Sequence, residues 1–113
     1  LREPVPKGAL AEELAQARLL LYRGDPGETF CLAVGEAQAA GLPCVVQDIG
    51  CVAERIIDGK TGVVAPDDKS FVASALRLLS DDPLWQSQSN EALACQRGWS
   101  WDDAAARFEE LLV

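Results

Sequence analysis

Apolar and polar residues alternate along this chain in short blocks that suit strands and modest helices. Ala9 to Ala17 reads as a short helix feeding "RLLLY", Arg18 to Tyr22, a brief apolar strand. "RGDPGE" follows as a loop punctuated by Gly and Pro. Phe30 to Ala40 is an apolar helix, with Gly41 where a left-handed C-cap is wanted. Pro43 opens a second strand, "PCVVQ", ending at Gln47, and a turn at Gly50 leads to a short helix around Val52 to Ile57. "DGKTG", Asp58 to Gly62, is a tight turn into a third strand, Gly62 to Ala65.

The second half is helical. One helix starts at "PDD", with Asp67 and Asp68 as capping candidates, and runs through "KSFVASALRLLS", where Phe71, Ala75, Leu76 and Leu79 share a face. Asp82 is expected to cap the next helix, with Pro83 at its first position. "SWDD" opens the last, Ser100 as cap and Asp103 three residues on, a capping-box pattern, and Phe108, Leu111 and Leu112 are expected to face the core. Trp85, Trp99 and Trp101 read as anchors packing these helices onto the sheet.

The alternation of strand and helix predicts an α/β chain: part of a Rossmann-like parallel sheet of about three strands, flanked by helices and followed by C-terminal helices. A doubly wound sheet has about five or six strands, so the chain reads as the second half of one. The absence of methionine also suggests a piece of something longer. A half-sheet leaves an unpaired strand edge, which predicts a homodimer, a swapped assembly or a companion segment.

With 113 residues, 49% of them apolar and 25% charged, the chain fits one ordinary globular domain at most. A net charge of −8, with ten scattered basic residues, argues against nucleic acid as a partner. No apolar run reaches the length of a membrane span, and "LREPVPKGALAEEL" lacks a signal peptide's apolar stretch, so a cytoplasmic location is expected. Cys31, Cys44, Cys51 and Cys95 are irregularly spaced and there is no histidine. They read as reduced core thiols, and no metal is expected. "GKT" at Gly59 to Thr61 fails as a P-loop because Glu54 stands where the motif needs glycine.

Two carboxylates stand apart from this background in "GETFCLAVGEAQAAGLP", Gly27 to Pro43. Glu28 lies at the carboxyl end of a strand, where open α/β sheets bind ligands. Glu36 interrupts a helix otherwise built of small apolar residues, where an unpaired buried charge is costly. Thr29 to Leu32 offer free backbone N–H groups at the helix start, a ready anion site. Glu36 stands roughly 6–9 Å further along the axis. Each carboxylate can accept hydrogen bonds from a diol, so a phosphate between two polyols, the layout of a nucleotide sugar, suits the pattern. An exposed loop Glu28 and a solvent-facing Glu36 suit it equally.

The stretch "ETFCLAVGEAQAAGLPCVV" resembles the E-x7-E signature of the family 4 retaining glycosyltransferases, which have the two-domain GT-B architecture. "VQDIGCVAERIIDGKTGVVAPDD", "FVASALRLLSDDPLWQSQ" and "GWSWDDAAARFEELL" are similar, in order, to the family's later segments, so the resemblance runs from about residue 10 to the end. It implies that residues 1–113 form the C-terminal portion of a nucleotide-sugar-binding domain, whose parent transfers a sugar to an unknown acceptor with retention. By resemblance, Glu28 is the catalytic candidate, contacting the transferred sugar and stabilising an oxocarbenium-like transition state. Glu36 binds the donor's ribose, the backbone N–H groups of Phe30, Cys31 and Leu32 hold its diphosphate in place of a metal, and Gly27 and Thr29 also belong to the donor-binding set, with no cofactor.

Departures from the pattern limit what carries over. Thr29 and Cys31 replace two family glycines, and Cys51 replaces another. The family's Arg and Lys pair near the diphosphate has no counterpart, since Arg2, Lys7 and Arg18 stand in other contexts. Nor is the N-terminal, acceptor-binding domain present, so the chain alone is expected to be inactive. The rival readings are a non-catalytic nucleotide-binding or assembly module, and another GT-B enzyme such as a sugar epimerase or a glycogen synthase.

Overall fold

The computed structural model describes residues 6–27, 32–97 and 100–111. Helix α1, Lys7–Gln16, precedes strand β1, Leu20–Tyr22; α2, Leu32–Ala39, leads to β2, Cys44–Gln47. A short 3-10 helix, Val52–Arg55, precedes β3, Gly62–Ala65, and three helices follow: α3, Asp68–Ser80; α4, Asp82–Arg97; α5, Trp101–Glu110. The strands form one parallel sheet in the order β1-β2-β3. The expected α/β half-sheet is therefore what the chain builds. Leu20, Cys44 and Gly62 lie side by side, as do Leu21, Val45 and Val63.

Successive strand residues point to opposite faces of a sheet, and the two faces here have different covers. Cys44 and Val46 pack with Val34 and Ala37 of α2 and with Leu42, Val52 and Ile56, the main core cluster. Val45 and Gln47 point to the other face, where Gln47 reaches Asp68 at the start of α3. Ala75 and Leu78 of α3 are buried on that side. Thus α2 and α3 sandwich the sheet.

The return from α2 into β2 depends on Gly41, at φ +83°. Its N–H donates to the Gln38 carbonyl at 3.0 Å and the Leu42 N–H to the Ala37 carbonyl at 2.9 Å, the paired bonds of a Schellman stop. The Gly41 carbonyl accepts from the Ser89 hydroxyl at 2.6 Å, tying this corner to α4. The glycine expected as a C-cap holds that place.

At the same edge of the sheet Arg18, just before β1, joins three elements. Its Nε donates to the Leu78 carbonyl at 3.1 Å, and its Nη2 pairs with Asp82 at 2.6 Å. The guanidinium also lies over the Trp85 ring, 5.3 Å from its centre, while Trp85 Nε1 donates to the Arg18 carbonyl at 2.5 Å. Trp85 is thus an anchor of the kind its residue type suggests. Trp99 lies outside the described residues, and the side chain of Trp101 is not described.

Three helix starts combine local chemistry with neighbouring contacts. Asp67 caps α3 in a reciprocal capping box with Ser70, and Ser100 caps α5 in another with Asp103. The cap of α4 is Asp81, one residue earlier than expected. Its Oδ1 accepts from the Leu84 N–H at 3.0 Å, which leaves Asp82 inside the first turn and free to pair with Arg18. Asp68 is not a cap either, because Gln47 and Arg23 engage its carboxylate.

Two expectations about the apolar faces fail. Leu76 and Leu79 are 60% and 50% exposed, while Leu78, absent from the expected face, is fully buried. Helix α3 turns the arc containing Ala75 and Leu78 inward. Asp68, Val72, Leu76 and Leu79 form a neighbouring stripe at helical spacing. Asp68, at the head of this stripe, reaches Arg23, just past β1, and Leu21 of β1 is 51% exposed. Phe108 and Leu111 are also exposed, because among the described residues α5 shares no extensive contact with any other element. Leu112 is outside the described residues.

Cysteine burial is likewise mixed. Cys44 is buried in the core and Cys51 packs against it, but Cys95 is exposed on α4, against the expectation of a core thiol. None of the three forms a disulfide among the described residues, and Cys31 lies outside them.

Two predictions test this packing. Leu78→Ala should cost about 2–5 kcal/mol of stability, as full burial requires, whereas Leu76→Ala should stay within about 0.5 kcal/mol; chemical denaturation compares them. The second concerns pH. Hydrogen bonds from the Ser70 backbone N–H and hydroxyl hold Asp67 below the ordinary aspartate value of 3.8. A carboxyl depressed by folding stabilises the native state above its unfolded pKa, and that contribution is lost as pH falls through the lower folded value. Thermal melts between pH 6 and pH 2 should therefore show a steeper loss for the native chain than for Asp67→Asn.

Candidate functional site

All three strands run the same way, so the loops after β1, β2 and β3 gather at one edge of the sheet. Backbone contact joins the first two. Gly50, at φ +64°, lies so close to Asp25 that a Cβ there would overlap the Asp25 carbonyl oxygen. Asp25 in turn shapes the approach to α2, its Oδ1 accepting from the Gly27 N–H at 2.8 Å. Gly27 is exposed and ends the first described segment; Leu32, 63% exposed, begins α2. Glu28, Thr29, Phe30 and Cys31 lie between them, outside the described residues.

Helix α2 buries Val34, Gly35, Ala37 and Gln38. Gly35 sits where a Cβ would come within 3.1 Å of the Arg55 guanidinium, and Gln38 Nε2 donates to the Arg55 carbonyl at 2.8 Å. Its small residues thus divide by face: Gly35 and Ala37 let the helix close on its neighbours, while Ala39 and Ala40 are exposed.

Glu36 shares that outer face, and Leu10, Ala11, Leu14 and Ala15 of α1 stand opposite. Together with Ala39 and Ala40 they enclose a cleft of about 460 Å³. A cleft of that size suits a small ligand or part of one. Among the described residues, Glu36 carries the only polar side chain in its lining. Among the described residues the walls offer the carboxylate no side-chain donor, so its lone-pair sites can accept from a guest's hydroxyl groups.

A second cluster at the carboxyl edge is not apparent from sequence patterns. Arg23, the first residue after β1, donates from Nε to Gln47 Oε1 at 3.2 Å and pairs through Nη2 with Asp68 Oδ1 at 3.2 Å. Gln47 Nε2 donates to the same Asp68 oxygen at 2.7 Å, closing a ring across the end of β1, the end of β2 and the start of α3. Gln47 is 6% exposed, so satisfying its amide matters; the Arg23 and Asp68 side chains are 66% and 76% exposed, and their ion pair alone is worth about 0–1 kcal/mol. The sequence did hold a signal: a glutamine closing the apolar run "CVVQ" must find partners if that strand is buried.

Among the described residues, no group of three or more His, Cys, Asp or Glu side chains could hold a metal ion, and no helix is long and apolar enough to cross a membrane.

The family model described as "Glycosyl transferases group 1" matches residues 3–81. This chain belongs to that glycosyltransferase family. It is 44% identical over 104 residues to a glycogen synthase of Mycobacterium tuberculosis, covering 83% of this chain and 25% of the relative. It is 36% identical over 111 residues to an exopolysaccharide phosphotransferase of Streptomyces coelicolor, covering 96% of this chain and 12% of the relative. The chain thus spans a quarter or less of the length of these two relatives. The solved sucrose-phosphate synthase of Thermosynechococcus elongatus superposes with a TM-score of 0.79 at 20% identity, over 98% of this chain and 28% of its own. That likeness is one of fold. The matched family segment contains the cleft and the carboxyl edge described above.

Proposed function

We propose that the chain is the C-terminal portion of the donor-binding domain of a retaining glycosyltransferase, one that transfers a sugar from a nucleotide sugar to an acceptor. The observation that carries this reading is Glu36: a carboxylate in an otherwise apolar cleft, eight residues after Glu28, in a chain of the glycosyl transferase group 1 family. In this proposal the nucleoside occupies the cleft and its ribose hydroxyls donate to Glu36. The diphosphate meets the N-terminus of α2, where the backbone N–H groups of Phe30, Cys31 and Leu32 face the charge that develops as the sugar departs. Fixed donors of this kind lower a barrier because they are oriented before the charge appears; removing one typically costs about 10²–10³ in rate. Gly27 and Thr29 line the approach, and Glu28 stabilises the oxocarbenium-like sugar. The glycogen synthase relative supports polymer synthesis as a second reading of the same transfer chemistry.

The sheet supports the domain assignment. All-parallel sheets bury both faces, yet among the described residues β1 has a neighbour on one side only and leaves Leu21 half exposed. Further strands of the parent enzyme belong at that edge, and a second copy of the isolated chain can take their place. Sedimentation velocity should show self-association rising with concentration and suppressed by Leu21→Lys. A monomer at every concentration would overturn this part of the proposal.

Ligand-observed NMR of the chain with UDP, GDP and ADP tests the site. One nucleotide should bind, and Glu36→Ala should weaken it about 10- to 100-fold, the range for hydrogen bonds to a charged acceptor. Silence from all three, or binding that ignores the substitution, would refute the assignment of Glu36.

A further inference from the structure

We infer that Arg23 is a binding residue for the phosphates of the donor, oriented for that contact by Gln47 and Asp68; the inference rests on the nucleotide-sugar reading above. The described residues directly after β1, β2 and β3 (23–27, 48–51 and 66–67) carry the carboxylates Asp25, Asp48 and Asp67, and Arg23 is the only Lys or Arg among them, Arg55 and Lys69 standing within the helices that follow. An anion approaching that edge needs compensating positive charge, and this guanidinium supplies it.

The geometry leaves the right part of the side chain available. Nε and Nη2 hydrogens project from one edge of a guanidinium, and both groups are engaged, by Gln47 Oε1 and Asp68 Oδ1. The Nη1 hydrogens and the second Nη2 hydrogen project elsewhere, and no partner among the described residues takes them. A planar fork held along one edge presents the other to a phosphate in bidentate fashion, which Lys cannot imitate. Gln47, being neutral, orients the group without cancelling its charge. Asp68 is largely exposed, so water screens it, and much of the positive field persists. Because Gln47 is buried and itself held by Asp68, the fork is pre-organised and a ligand loses less side-chain freedom on binding.

The test compares affinities for each nucleoside diphosphate and its nucleoside, UDP with uridine, GDP with guanosine and ADP with adenosine, by titration calorimetry or NMR. Arg23→Gln should weaken the diphosphate about 10-fold or more and leave the nucleoside within about two-fold; Arg23→Lys should recover only part of the loss. Asp68→Asn separates binding from scaffolding, since it keeps an acceptor oxygen but removes the competing charge. Diphosphate affinity should then hold or rise. Equal weakening of nucleoside and diphosphate in Arg23→Gln, or weaker diphosphate binding in Asp68→Asn, would show that the ring only braces the loops and would overturn the inference. If a diphosphate binds in a Glu36-dependent way while Arg23→Gln leaves it unchanged, the inference alone fails. If neither nucleosides nor diphosphates bind the native chain, the underlying reading fails and takes this inference with it.

Discussion

Strand β2 is hydrogen-bonded to a strand on each side and buried at all four of its positions, and the remaining architecture follows from that constraint. A strand so placed needs an apolar cover on both faces. Helix α2 supplies one and α3 the other, which forces the chain to cross from one side of the sheet to the other between β2 and α3. The crossovers bring every strand through the sheet in the same direction. Their loops therefore collect at one edge, and the residues able to contact a ligand are brought together as a consequence of burying Cys44 to Gln47.

The two ends of the sheet are built differently. At the amino edge, Arg18, Trp85, Gly41 and Ser89 fasten β1, α2, α3 and α4 through side chain-to-backbone bonds. At the carboxyl edge the contacts are looser and more polar: a glycine against a carbonyl at Gly50, and the exposed ring of Arg23, Gln47 and Asp68. A rigid base with a polar rim is the arrangement expected where a scaffold positions ligand-binding loops. Membership in the glycosyl transferase group 1 family agrees with it, and the fold of a sucrose-phosphate synthase matches nearly the whole chain.

Much of the plan was legible from local patterns. Gly41 stops α2, the Asp67–Ser70 and Ser100–Asp103 boxes start their helices, and β3 spans Gly62 to Ala65 as its flanking turn implied. Each depends on residues within a few positions of one another, so short-range chemistry suffices. The failures share the opposite property. Leu76 and Leu79 fit a helical face as well as Leu78 does, and periodicity cannot say which arc meets the sheet. Phe108 and Leu111 form an apolar stripe on α5, but a stripe does not specify a covering surface. Asp82 looked like a cap because the sequence does not show Arg18, far away along the chain, waiting to pair with it.

The candidate site divides along the same line. The sequence alone determined that two glutamates flank a helix start, that the helix is small and apolar, and that the loop before it follows a strand; these are facts of spacing. Only the tertiary structure decided that Glu36 faces α1 across an apolar cleft, and that Arg23 meets Gln47 and Asp68. The physical reason is that a helix or strand fixes which of its own residues share a face, whereas the partner of that face is chosen by the packing of elements distant in sequence.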